Sequence, residues 1–192
     1  MLRSGTLLAL ALISLAGCTV QLRNPKIPAP RTIEPKLFEP TEQEESAANA
    51  SPLRLLDTQA RGHIGRRLLH QEPNGELIED PVWQWSSTPD RFLDVVLRFE
   101  VASKPGLRLV DAANAPTLAA TLLVWDLESK EGTQLVGAVE FQFTGLDRVV
   151  YTQIIRASEP VSAELPGNLA SAASALLDRL ASQGVRRMVL QR

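Results

Sequence analysis

The chain offers few groups able to do covalent or acid–base chemistry, and one of them stands apart. Cys18 is the single cysteine among 192 residues, and it directly follows Leu15-Ala16-Gly17. It is the chain's one sulfur nucleophile. The two histidines, His63 and His70, fall in a stretch that reads as extended, where an odd spacing places them on opposite faces. A zinc centre wants three or four His, Cys or carboxylate ligands, so both are expected to be surface residues. A nucleophilic triad needs Ser, His and an acid brought together, and no nucleophile-elbow pattern occurs. Gly62-His63-Ile64-Gly65 is too small for a phosphate loop and lacks the following Lys and Ser/Thr. Glu79-Asp80 lies at a loop with no apolar pocket implied. The expectation is a protein that is not an enzyme, with no catalytic residues, no metal site and no cofactor.

What precedes Cys18 gives its sulfur a use. A charge at Arg3 and an apolar stretch over residues 6–16 lead to small residues at the junction, the layout of a secretory signal. The run is shorter than the roughly 20 apolar residues a spanning helix requires. Leu15-Ala16-Gly17-Cys18 resembles a bacterial lipobox, in which the sulfur takes a diacylglyceryl group and cleavage leaves Cys18 as the new N-terminus. The covalent lipid on Cys18 is then the only attached group expected. Each buried CH₂ contributes about 0.8 kcal/mol, and two or more chains give stable anchoring. Thr19 follows Cys18. In proteobacterial lipoproteins an aspartate at that place usually retains the protein at the inner membrane, so Thr19 implies sorting to the outer membrane, facing the periplasm.

Composition narrows the partners. Twenty Lys+Arg against 22 Asp+Glu give a net charge of −2. That balance argues against nucleic acid, whose readers concentrate Lys and Arg. With one cysteine the chain cannot close an internal disulfide, although the periplasm would permit one. The fold must stand on packing, and its length suffices for one domain plus a tail.

The elements that position these groups divide the chain into a signal at residues 1–17, a lipidated anchor and Pro-rich tether at 18–51, and a folded domain at 52–192. The tether holds Pro25, Pro28, Pro30, Pro35 and Pro40, then a polar, acidic run over 41–46. Such a segment cannot bury enough apolar surface to offset its ordering entropy, and it spans roughly 30 Å as a coil. Ile33, Leu37 and Phe38 leave open a first strand over residues 33–38 that joins the sheet. In the domain, residues 53–56, 62–69 and 76–78 read as extended pieces, with Pro73-Asn74-Gly75 as a turn. Thr88 reads as an N-cap with Pro89 at the first helical position and Asp90 in the first turn. Phe92, Val95, Val96 and Phe99 then line one face of a helix that ends at Lys104-Pro105-Gly106. Residues 107–110, 117–127, 134–144 and 149–157 read as strands, the second central, with turns at 130–132 and 145–147. Leu135, Val139, Phe141 and Phe143 alternate with polar residues, as in a sheet packed on one side. Leu169, Ala172, Ala173, Leu176, Leu177 and Leu180 form a helical stripe, which Gly184 either ends or weakens. The fold class expected is α/β (α+β): a mixed, largely antiparallel sheet with two main helices packed on one face.

Three tryptophans remain. Trp83 and Trp85 share a face if extended. One is expected to close the core and the other to contact a partner or a second copy of the chain. Trp125 is expected at the core edge.

The order of these features resembles the ABC-type transport auxiliary lipoprotein family, which includes the paraquat-inducible protein C group. The match runs over residues 52–183. It rests on Trp83-x-Trp85 ahead of a Thr-Pro-Asp-Arg helix start, on Leu107-Arg108-Leu109-Val110-Asp111, and on residues 151–158 before the last helix. Two departures are the missing Tyr-rich first strand and a longer tether. The resemblance implies an outer-membrane lipoprotein without an active site, a docking or anchoring subunit of a mammalian-cell-entry-type lipid transport system, and a homo-oligomeric ring. Two other functions fit the residues. One is a lipid-binding carrier, with acyl chains on the sheet face of Phe141 and Phe143. The other is an assembly chaperone or pilotin for an outer-membrane β-barrel.

Overall fold

The computed structural model describes residues 29–37, 50–129, 132–145, 149–162 and 167–190. Cys18 and Thr19 lie outside these. The elements are β1 (Arg31–Ile33), β2 (Ser51–Leu55), β3 (Gln59–Ala60), β4 (Arg67–Gln71), β5 (Leu77–Trp85), α1 (Pro89–Ala102), β6 (Leu107–Leu109), β7 (Thr117–Glu128), β8 (Gln134–Thr144), β9 (Val149–Pro160) and α2 (Gly167–Leu190).

The fold is α+β: one mixed sheet of nine strands with two helices. Its spine is the antiparallel meander β7–β8–β9, paired almost end to end. The other edge of β7 takes β2, β3 and β4 in succession, all parallel to it. Residues 54–71 thus follow one interrupted path along β7, with an excursion at residues 61–66. The amide of Arg54 donates to the Pro116 carbonyl, Leu56 to Leu118 and Arg61 to Leu122, pinning that path at 2.8 to 3.0 Å. β5 returns antiparallel to β4, β1 adds parallel to β5, and β6 pairs β2. β7 is central, as its two-sided apolar pattern implies.

The core lies between the sheet and the helices. Leu118, Leu122, Trp125, Leu135, Val139 and Phe141 face Leu169, Ala173, Leu176, Leu177 and Leu180, all buried in one cluster. α1 contributes Phe92, Leu93, Val96, Leu97 and Val101. The sheet face at Phe141 is therefore occupied by α2. The opposite face is not uniformly wet, because Val136 and Ala138 are buried there as well.

At five places the structure decides or corrects what the sequence suggests. The strand left open over residues 33–38 is found at Arg31–Ile33, which pairs with Trp83–Trp85; the Ser86 amide donates to the Ile33 carbonyl, and Ile33 is buried. Burying that side chain offsets the cost of ordering a short strand. The short strand at 76–78 extends to Trp85. Pro81 sits where the β4–β5 register shifts, so its missing N–H breaks no ladder bond. Thr88 has the extended N-cap backbone, but its hydroxyl caps nothing and Pro89 starts the helix. The buried face of α1 is rotated from the one read by spacing: Leu93 and Leu97 are enclosed, while Val95 is exposed at 36%. Gly184 does not end α2, which continues to Leu190.

Candidate functional site

The two sequence-singled tryptophans stand on β5, and the structure separates their roles. Trp85 is fully enclosed. Its ring meets Trp125 edge-to-face, centroids 5.7 Å apart and planes at 61°. Neither indole N–H finds an acceptor among the described residues. Trp83 is partly exposed and carries the Arg31 guanidinium over its ring at 5.5 Å, a cation–π contact. β1 therefore covers the β5 edge at both tryptophans. Trp85 serves the core, and Trp83 is the one a partner could touch.

β5 is shaped locally by Asp80. Its Oδ1 accepts the amides of Val82 and Trp83, each at 2.7 Å, and its Oδ2 meets His70 Nε2 at 2.9 Å. Burial pushes the Asp80 carboxyl up, but the Trp83 amide, His70 and the Val82 amide outweigh it and hold it below its ordinary 3.8. Arg66 completes the brace: its carbonyl accepts the Trp85 amide at 2.7 Å and its Nε donates to the Trp85 carbonyl at 3.2 Å. The His70–Asp80 pair thus steadies a strand around a proline. No serine, threonine or cysteine joins it among the described residues, so it lacks the third member of a nucleophilic relay. His63 is exposed on the excursion at residues 61–66.

A second carboxylate ties α1 to the β2–β3 connection. Asp94 Oδ1 accepts the Thr58 amide and hydroxyl at 3.0 and 3.2 Å, and Oδ2 accepts Arg98 Nε at 2.8 Å. Arg98 also reaches Asp57. Burial raises the Asp94 carboxyl, and the Arg98 and Thr58 hydrogen bonds overcome this and lower it. Asp126 behaves oppositely. It is 5% exposed and its Oδ1 has no partner. Burial first, then the charge of Glu128, push it up against the pull of Arg156 and His63. Among the described residues no three His, Cys, Asp or Glu side chains gather as a metal site, and no helix is long and apolar enough to cross a membrane.

Open clefts are lined by described residues. One of about 350 Å³ lies between Lys104, Ser182, Gln183, Arg186, Val189 and Leu190. Another of about 680 Å³ lies beside Pro52, Arg108, Val110 and Phe143. Neither brings an acid and a base together. The exposed large apolar side chains include Ile154 at 58% and Leu190 at 74%. No sequence signal marks Ile154, because its exposure follows from α2 packing on the other face of the sheet.

No family model and no curated protein matches the chain. Solved structures do. The chain is similar to protein XCC0632 from Xanthomonas campestris, described under the family model DUF330, at 15% identity and a TM-score of 0.67, over 85% of this chain and 96% of that one. A crystal structure described as an uncharacterized protein matches at 12% identity and a TM-score of 0.67, over 83% and 99%. The hypothetical protein CT253 from Chlamydia trachomatis matches at 13% and 0.52, over 72% and 95%. At these identities the likeness is one of fold: the chain has the same arrangement of sheet and helices as these proteins.

Proposed function

We propose that the chain is an outer-membrane lipoprotein, anchored on the periplasmic face by lipid on Cys18. In this reading it is a non-enzymatic accessory subunit of an ABC, mammalian-cell-entry-type lipid transport system that supports envelope integrity. The observation that carries the reading is Leu15-Ala16-Gly17-Cys18 with its upstream apolar run, the one place where residue types and spacing match a defined chemistry. The order of elements supports it, since Trp83-x-Trp85, the helix at Pro89 and the three-strand meander follow the family pattern. The use of His70 and Asp80 in bracing β5 supports a role without catalysis.

The reading is tested in two steps. Labelling with palmitate should mark the wild-type chain, and Cys18→Ser should abolish both the label and retention in the outer-membrane fraction. Retention of the Cys18→Ser chain there would overturn the anchor. Pull-down from cross-linked envelopes should recover mammalian-cell-entry proteins, and recovery of none would overturn the transport role.

A further inference from the structure

The last turns of α2 carry an outward stripe that mixes arginine with exposed apolar side chains. Ala181, Gly184, Val185 and Met188 recur at helical spacing and are buried. The stripe two positions on is Gln183, Arg186, Arg187 and Leu190. Both arginines are exposed, Leu190 is 74% exposed, and Val189 beside it is 45% exposed. Lys104, just past α1, faces Arg186, Val189 and Leu190 across the cleft of about 350 Å³. Arg108 follows on β6 and is exposed.

This end of the molecule is basic. Residues 101–110 and 181–190 hold Lys104, Arg108, Arg186 and Arg187, and no Asp or Glu. Glu100 holds Lys104 at 2.6 Å. Of the other bordering acids, Asp178 lies beside Glu100, and Asp111 acts on Arg98. Among the described residues Arg108, Arg186 and Arg187 have no ion pair. Arg179, earlier on the same helix, is engaged by Glu159 and the Ser158 carbonyl. The α2 C-terminus carries about half a negative charge, which two arginines exceed.

An acidic protein surface would satisfy the arginines alone. Two large apolar side chains set among them ask for a partner that is anionic at its surface and apolar about 5–10 Å beneath it, as a phospholipid bilayer is. Arginine suits that boundary, because its stem lies along apolar surface while its head stays at headgroup level. Among the described residues no helix is long and apolar enough to cross a membrane, so α2 meets the bilayer from its surface.

We propose that this end docks on an anionic phospholipid bilayer. Val189 and Leu190 enter the headgroup–acyl boundary, and Arg108, Arg186 and Arg187 meet the phosphates. The proposal rests on the lipid anchor at Cys18, which brings the domain to the bilayer; the contact at α2 then orients the domain upon it.

The acylated full chain in vesicles tests this. Its Cys18 sulfur is alkylated, so Leu190→Cys supplies the one free thiol for an environment-sensitive bimane probe. Ile154→Cys, on the sheet face away from α2, is the control. The vesicles are phosphatidylcholine with or without phosphatidylglycerol. Flotation reports the anchor, and the probe reports docking. With phosphatidylglycerol, the probe at position 190 should shift to the blue and be quenched by nitroxide-labelled lipid, while the probe at 154 should do neither. A basic residue near an anionic surface contributes about fivefold to affinity. Arg186→Glu with Arg187→Glu should therefore cut the ratio of docked to undocked chain by about 25-fold or more without loss of flotation, and high salt should act in the same sense. A chain that floats with equal signals at 190 and 154, or with a signal at 190 indifferent to phosphatidylglycerol and salt, overturns docking and leaves the anchor standing. A chain that does not float overturns both. Should the double charge reversal disturb the helix, the phosphatidylglycerol and salt dependence of the probe at 190 decides.

Discussion

A Cβ placed on Gly184 would lie 2.5 Å from Cζ of Phe141 and 2.7 Å from each of its Cε atoms. α2 therefore rests its backbone on the Phe141 ring, and only glycine leaves that space. Mid-helix glycine ordinarily costs about 1 kcal/mol relative to alanine, so Gly184→Ala would stabilise a free-standing helix. Here it should destabilise the protein by about 1–3 kcal/mol through overpacking. Adding Phe141→Leu should recover part of the loss, because the two changes share one contact. Gly137→Ala should cost less, since its nearest neighbour is the mobile end of Leu180 at 2.8 Å. Urea unfolding of the three variants checks the ranking.

The tryptophan pair gives a second ranking. Trp85→Ala empties an enclosed site and should cost about 3–5 kcal/mol. Trp83→Ala removes a partly exposed ring and should cost markedly less. Trp85→Phe keeps an aromatic against Trp125 while removing a buried N–H without an acceptor. An unmet donor costs about 1–3 kcal/mol, so this variant should unfold closer to wild type than Trp85→Ala. Thermal unfolding by circular dichroism separates the three.

Asp94 and Asp126 should make stability depend on pH in opposite senses. Asp94 is held below its ordinary 3.8, so it stabilises the fold above that pH, and the contribution is lost as pH falls through the folded value. Asp126 is held above 3.8. Its penalty is absent below 3.8, grows as pH rises from 3.8 towards the folded value and is complete above it. At neutral pH, Asp94→Asn should lower the melting temperature and Asp126→Asn should raise it. The Asp126 difference should vanish as the pH falls towards 3.8, and the Asp94 difference should shrink only below it. Melting curves across that range check the signs.

The sequence made the meander legible because Leu135, Val139, Phe141 and Phe143 alternate with polar neighbours, a period that only a half-buried strand requires. It made the α2 stripe legible for the same reason at a helical period. It did not show which way α1 turns. Phe92 and Val96 belong to either candidate face, and the choice is made by where α1 meets α2. Nor did it show β5 passing through Pro81, because the bulge and the Asp80 side chain that accommodate the proline depend on β4. Of the candidate functional residues, Trp83 and Trp85 were visible by type, but their different burial follows from β1. The exposure of Ile154 became visible only once α2 was placed on the other face of the sheet.

β1 supplies the final prediction. Its three residues carry one large apolar side chain, Ile33, and pair in parallel with Trp83–Trp85 across some 50 positions of chain. Local periodicity cannot reveal so short and distant a pairing. If residues 29–37 belong to the domain, they must contribute to its stability. A chain starting at Ala50 should unfold at lower urea than one starting at Ala29, and Ile33→Ala within the longer chain should cost about 2–5 kcal/mol. Arg31→Ala should cost far less, because a partly exposed cation–π contact contributes about 0.5–1 kcal/mol. Equal midpoints for the two chain lengths would return residues 29–37 to the tether and leave the β5 edge, with Trp83 upon it, free for a partner.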